Sequence, residues 1–225
     1  MRAVGPKSAT CWQRSTTVPD LAGLARQLAA PSGIGGRLVG GLMDVANRKP
    51  LARSIAALAP RAGEHILDLG AGTGAGTARL LRAGARVTAI DHSPLMVETV
   101  RRRFRPEIDA GRVVAHQGDF AALPIVDDSV DAVLAVNILY FWHDADRIIA
   151  ELRRVLRPGG RFVAYVTDAA TMTRWGMDRT GTHRLYDAAA LRRMAAMIAP
   201  ETRWSRLAAI TTLGAGGFIL SVVLP

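Results

Sequence analysis

The chain predicts a Rossmann-like α/β fold, a seven-stranded and mostly parallel sheet with helices on both faces and an antiparallel hairpin at its C-terminal edge. Three observations carry that expectation. Apolar runs of strand length alternate with amphipathic stretches of helix length, the pattern of strands joined by crossover helices. A glycine-rich turn follows the first apolar run. The last two runs are separated by a turn too short for a crossover helix, so they must pair antiparallel.

The parallel strands are read at "EHILDL" (64–69), "ARVTAID" (85–91), "RVVAHQ" (112–117), "VDAVLAVN" (130–137) and "GRFVAYVT" (160–167), each β-rich and bounded by Gly, Asp or Pro. Before the fifth lies "DADRIIAELRRVLRPGG". Its Ile148, Ile149, Leu152, Val155 and Leu156 share one helical face, and Pro158-Gly159-Gly160 stops the helix. "TRWSRLAAI" and "GFILSVVL" form the hairpin. The uncharged run Leu207 to Pro225 approaches the length of a membrane span, but its internal glycines and β-branched flanks break it into two strands instead.

Ahead of the sheet, residues 1–19 are expected to be a flexible segment and 20–60 a helical lid, the second of its helices having simple packing on the sheet as the alternative. The lid comprises "LAGLARQLAA" and "DVANRKPLARSIAALA" around the flexible joint "PSGIGGRLVGG". The remaining 61–225 form one domain, with an insertion at about 168–186 facing the substrate. At 225 residues and 49% hydrophobic content the chain buries a core without staples.

The single cysteine, Cys11, excludes a disulfide framework and a cysteine zinc site, and no two histidines have helical ligand spacing, so no metal is expected. "MRAVGPKSAT" lacks the apolar core of a secretory signal. A soluble, cytoplasmic protein is therefore expected, with its oligomeric state open. The net charge of +10 invites a nucleic-acid reading. Lysine, however, occurs only at Lys7 and Lys49, and the arginines are scattered apart from "RRRFR" (101–105), which reads first as a solvated helix face.

Ligands of an open α/β sheet bind beyond the carboxyl ends of its strands, where the strand order reverses. The residues after each strand therefore carry the function. They are Asp68 with the glycines of "DLGAGTG", Asp91, the run Gly118 to Phe120, and the run Asn137 to His143. Gly70, Gly72 and Ala75 taken alone also fit a dinucleotide turn, which keeps a nicotinamide-dependent oxidoreductase as a rival.

In sum, "DLGAGTG" (68–74), "AIDHSPLM" (89–96), "QGDF" (117–120) and "LRPGG" (156–160) occur in order and at workable spacing. Over about Leu51 to Val166 this resembles the class I S-adenosylmethionine-dependent methyltransferases, in particular their small-molecule, ubiquinone-methyltransferase-like (type 11) group. The resemblance implies S-adenosylmethionine as cofactor, approached closely by Gly70, Ala71, Gly72 and Gly74, since a Cβ at Gly70 or Gly72 would intrude. It also implies that Asp91 holds the ribose diol, with His92 nearby. Asp119 takes the adenine amino group, Gly118 and the Phe120 backbone line the adenine site, and Met96 covers the ring. Asp68 orients the turn and the ammonium end, and the Asn137 backbone lies near the methionine part. Against the oxidoreductase, Asp68 stands two residues before the first glycine, "QGDF" and "RPGG" have no role there, and no second substrate domain fits the length.

Methyl transfer at a sulfonium requires alignment and exclusion of water, with a base only where the nucleophile carries a proton. His143 and His183 are the candidate bases. Tyr140, Trp142 and Trp175 are candidate contacts to the acceptor, with Met172, Met177 and Tyr186 in the same insertion. His116 and His92 are expected near the cofactor and His65 at the surface. The run after the fourth strand lacks the Pro-Pro-aromatic clamp of base-flipping amino methyltransferases, and Cys11 lies far from the motifs of carbon-5 pyrimidine chemistry. The expected reaction is thus methylation of an oxygen or nitrogen of a small molecule, with an RNA acceptor on the arginine-rich face as the alternative.

Overall fold

In the computed structural model, which describes residues 45–181, 183–201 and 204–225, the parallel strands are β1 (His65–Leu69), β2 (Arg86–Asp91), β3 (Val113–Gln117), β4 (Val130–Val136) and β5 (Leu156–Thr167). The hairpin is β6 (Ser205–Thr212) with β7 (Ala215–Val223). They form one sheet in the order β3-β2-β1-β4-β5-β7-β6. Pairing is parallel from β3 through β5, and β7 runs antiparallel to both β5 and β6. The chain winds outward from β1 to β3, then returns to place β4 on the other side of β1. That reversal opens a crevice between the carboxyl ends of β1 and β4.

Side chains alternate across the central strands and feed two cores. On β4, Ala132 and Leu134 face one side and Val133 and Ala135 the other, and β5 repeats the alternation with Val163 and Tyr165 against Phe162, Ala164 and Val166. Helices α1 (Arg48–Leu58), α2 (Ala75–Arg82) and α3 (Pro94–Arg103) cover the first face through Leu51, Leu58, Leu80, Val97 and Val100. A short α4 (Arg105–Asp109) follows. The other face is covered by α5 (Ala145–Val155), which buries the expected Ile148, Ile149, Leu152 and Val155. Beyond β5 come α6 (Ala169–Arg174) and α7 (Ala188–Ile198), and α7 packs beside α5 and over β7 and β6.

Two elements differ from the sequence reading. First, Leu156 belongs to β5, where it pairs with Val130; the register then shifts, and pairing resumes at Ala132 with Arg161. The "RPGG" run bulges because Pro158 has no N–H to donate and Gly159 turns the chain at φ +73°. Second, the helix expected within 44–59 is α1, which packs directly on β4, β5 and β7 and buries Pro50, Leu51, Ser54 and Leu58. Its last carbonyls are held by Arg161, whose Nε donates to Leu58 O at 3.0 Å while Nη2 pairs with Glu64 at 2.6 Å. The flexible segment 1–19 and the lid helix expected at 21–30 lie outside the described residues.

Candidate active site

β1 delivers the chain into a turn that passes through Gly70 (φ +74°), Gly72 (φ +54°) and Gly74 (φ +81°), a region that favours glycine. The three are glycine for different reasons. A Cβ on Gly70 would sit 2.5 Å from Ile138 Cγ1, and one on Gly74 would sit 2.5 Å from Phe104 Cε2. Gly70 is therefore small because of Ile138, which corrects the expectation that its Cβ would meet a bound molecule. A Cβ on Gly72 meets nothing within 4 Å, so this glycine faces open space. The turn is hooked to the neighbouring strand by the N–H groups of Gly70 and the buried Ala71, which donate to Ile90 O at 2.8 and 3.1 Å.

Asp91, at the end of β2, is 5% exposed and joins two elements. Its Oδ2 accepts from Gly72 N–H at 2.8 Å and its Oδ1 from Ser93 N–H at 2.9 Å, just before α3 begins. Burial pushes its carboxyl above the usual range, against the pull of these bonds and of His92. Asp68 is as deeply buried and faces α2, with Thr77 Oγ1 donating to its Oδ2 at 2.7 Å. Gly76 must lack a side chain because a Cβ there would lie 2.8 Å from both Asp68 oxygens. Burial raises the Asp68 carboxyl to about 6, with the Asp91 charge adding to the rise and Thr77 opposing it.

At the ends of β2 and β3, the His92 and Phe120 rings meet edge to face at 6.2 Å, and Gln117 Nε2 donates to His92 O at 3.2 Å. Gly118 N–H donates to Asp91 O at 3.2 Å, which binds the third loop to the second strand. Asp119 is exposed, and its Oδ1 accepts from Ala121 N–H at 2.9 Å in a side-chain-closed turn. Met96 is buried under the start of α3 and, with Thr73, lines a cavity that reaches Arg102 and Arg103.

Beyond β4, Asn137 adopts φ +55°, a conformation that costs a non-glycine residue free energy. Its N–H donates to Tyr165 O at 2.9 Å, its Oδ1 accepts from the Tyr140 hydroxyl at 2.9 Å, and its Nδ2 donates to Asn47 Oδ1 at 2.7 Å. Tyr140 is itself buried, its hydroxyl also receives Thr167 N–H, and burial pushes its pKa up. Its hydroxyl thus holds Asn137 and β5 and has no side facing an acceptor, a correction to its expected role. Trp142 is corrected too. It is 0% exposed and packs 6.4 Å from Phe162 in the core, because the Leu139–Phe141 3-10 turn rolls it inward.

The 168–186 segment returns to this loop. Tyr186 Oη donates to Leu139 O at 3.0 Å, Arg184 N–H to Tyr140 O at 3.0 Å and Arg184 Nη2 to His143 O at 3.0 Å. Met172, Met177 and Tyr186 are core residues, whereas Trp175 stays 46% exposed at the end of α6. His183 is half-buried, 4.9 Å from the Phe141 ring and 5.9 Å from Tyr140, and burial lowers its pKa. His143 is exposed at the entry to α5.

His65 is not a free surface group. Its ring nitrogens lie 2.9 Å from Ser129 O and 2.8 Å from Thr88 Oγ1, at the opposite end of β1 from the groove. The arginine run is largely engaged by the protein itself. Arg101 donates to Ala115 O and Arg103 to Thr73 O, each at 3.0 Å, while Arg102 pairs with Glu98 and Arg105 with Asp109. Among the described residues no three His, Cys, Asp or Glu side chains converge on one point. Asn47 and Thr167 join the site without any local signal, since each matters through a partner distant in the chain.

Residues 67–164 match the methyltransferase domain family. The chain is 43% identical to a demethylmenaquinone methyltransferase of Clavibacter sepedonicus, over 54% of this chain and 49% of that one. It is 41% identical to a ubiquinone/menaquinone biosynthesis C-methyltransferase of Paracoccus denitrificans, over 54% of this chain and 50% of the relative. The chain spans about half the length of the curated relatives it matches. In fold it is similar to the methyltransferase solved in complex with the Haloferax volcanii Trm112 methyltransferase activator, with a TM-score of 0.70, 20% identity, and coverage of 92% of this chain and 98% of that one.

Two predictions follow from the geometry. Gly70→Ala adds strain at positive φ to a collision with Ile138 and is expected to cost about 2–4 kcal/mol, whereas Gly72→Ala carries the backbone term of about 1–2 kcal/mol alone. Urea unfolding of the two variants checks this, and equal losses would contradict it. For Asp68, the folded chain holds the proton up to about 6 while the unfolded chain releases it near the ordinary 3.8. The folded state thus binds the extra proton between these values, so stability falls as pH rises through that window, and the ionised group costs roughly 3 kcal/mol above it. Asp68→Asn keeps an acceptor for Thr77 and carries no charge. Its denaturation midpoint should gain on the wild type as pH rises from about 4 to 7; parallel pH profiles would refute the assignment.

Proposed function

We propose that the methyltransferase domain carried at residues 67–164 transfers a methyl group from S-adenosylmethionine to an oxygen or nitrogen of a small-molecule acceptor by in-line displacement. The observation that carries this reading is the cradle at Gly72. Open space at its missing Cβ lies beside the buried Asp91 carboxylate, at the sheet's reversal point. A cofactor without phosphates needs such close backbone approach and one well-placed carboxylate, not a cluster of cations. When bound, it supplies a methyl group already activated by a sulfonium.

This chain's residues then bind and orient. Asp91 accepts from the ribose hydroxyls, and His92, Asp119 and the Phe120 backbone frame the adenine, with Gly118 tying their loop to Asp91 and Met96 beneath α3. Asp68 acts through Thr77 on the turn, and its charge favours the cationic end of the cofactor. The Asn137 backbone carbonyl accepts no hydrogen bond from the described residues and remains for the amino-acid part. On the acceptor side, Phe141, His183 and Trp175 offer aromatic surface for a planar molecule; the quinone names of two relatives support a planar acceptor, whereas the Paracoccus relative is named for methylation at carbon. His183 is the better candidate base. Burial keeps its imidazole neutral near pH 7, ready to take a proton, whereas His143 is exposed. The engagement of Arg101 and Arg103 with backbone carbonyls disfavours an RNA acceptor at the 101–105 run.

Calorimetric titration should show binding of S-adenosylhomocysteine and none of NAD; the reverse result would refute the reading. Asp91→Ala should weaken S-adenosylhomocysteine binding by about 1–3 kcal/mol, the worth of hydrogen bonds to a charged group. With an O–H acceptor in hand, His183→Gln should lower turnover by roughly 10²-fold or more with little change in cofactor affinity. The wild-type rate should rise with pH through a value below the ordinary 6.5 of histidine. A flat profile and an unimpaired variant would remove His183 from the chemistry.

A further inference from the structure

Asn47 precedes α1 at the cap position, where an asparagine side chain ordinarily accepts a backbone N–H of the first turn. It makes no such bond here. Its Oδ1 instead accepts from Asn137 Nδ2 at 2.7 Å, across 90 residues of chain. The direction of this bond is fixed by its neighbours. The Tyr140 hydroxyl receives Thr167 N–H, and its single hydrogen has Asn137 Oδ1 at 2.9 Å as a nearer acceptor than Thr167 O at 3.4 Å, which leaves the Asn137 amide nitrogen to donate to Asn47. Asn137 stands at φ +55°, and such a conformation persists only where the surroundings over-determine it. Three bonds do so, to Tyr165, Tyr140 and Asn47.

We propose that Asn47 is a positioning residue for the cofactor's amino-acid end: by holding the Asn137 side chain it fixes the left-handed turn after β4 and so aims the Asn137 carbonyl into the groove. The proposal rests on the cofactor reading above, and it gives the segment before the sheet a direct link to the site. The Asn47 side chain makes no cap bond to its own helix, and its carbonyl, which accepts Leu51 N–H at 2.8 Å, is kept by alanine, so truncating the side chain leaves α1 intact and loosens Asn137.

The test compares two ligands by calorimetry on the full chain. S-adenosylhomocysteine carries the amino-acid end, and 5′-deoxy-5′-methylthioadenosine has the same adenosine and sulfur without it. Asn47→Ala should weaken S-adenosylhomocysteine roughly 3- to 10-fold, the worth of one hydrogen bond, and leave methylthioadenosine within about twofold. Asn47→Asp retains an acceptor for Asn137 and should bind S-adenosylhomocysteine like the wild type. Equal weakening of both ligands, unchanged S-adenosylhomocysteine binding, or an Asn47→Asp variant that behaves like Asn47→Ala would overturn the proposal while leaving the cofactor reading standing. A wild type that binds neither ligand would remove the cofactor reading and this proposal with it.

Discussion

The site depends on one carboxylate. Asp91 accepts from Gly72 on the first loop and from Ser93 at the head of α3, and its own carbonyl receives Gly118 from the third loop. Three loops from three strands therefore meet at one residue. Parallel strands end at one side of the sheet, but nothing in the sheet itself brings the loops beyond them together; a buried acceptor that must be satisfied does. Burial raises the cost of the Asp91 charge, and the N–H groups that offset this cost are those that shape the groove.

Asp68 lies on β1, two residues before Gly70, and raises the cost further, since two carboxylates buried on adjacent strands repel. Burying charge in this way weakens a fold. The glycines divide along the same line. Gly70, Gly74 and Gly76 are small because Ile138, Phe104 and Asp68 press against them, and they make the turn rigid. Gly72 has no neighbour to avoid, so the rigidity of the others holds one open position beside Asp91.

The sheet, its hairpin, the helical face of α5 and the glycine turn were legible in the sequence because each is a local pattern, of period two, of period near 3.6, or of turn chemistry. So were Asp68 and Asp91, whose spacing from the glycines is set by one strand and one helix. Legibility failed for Trp142 and Tyr140. A tryptophan or tyrosine after a strand has the same local sequence whether it turns toward a groove or into the core, and a 3-10 turn of three residues decided it. The "RPGG" bulge and the contacts of Asn47, Ile138 and Thr167 failed for another reason. They are pair properties of residues far apart in the chain, and no single segment encodes them.

With Tyr140 and Trp142 withdrawn into the core, the mouth beyond β4 takes a different character. The post-β4 loop and the 168–186 segment are bound to each other by Tyr186 on Leu139 and by Arg184 on both Tyr140 and His143. The same segment is anchored to the hairpin, where Gly216 and Gly217 leave room for Asp168 and Tyr165, and where Thr171 Oγ1 accepts from Gly216 N–H at 3.0 Å. Apart from the exposed Arg184 guanidinium on His143 O, these bonds run through backbone groups and hydroxyls, so they hold a frame between the two segments. Phe141 and His183 pack against Tyr140 at the edge of that frame, and Trp175 stands exposed at the end of α6. The turn after β1 is held separately, by backbone bonds to Ile90 and by the Asp68 and Asp91 carboxylates, so its shape does not depend on the rings beyond β4.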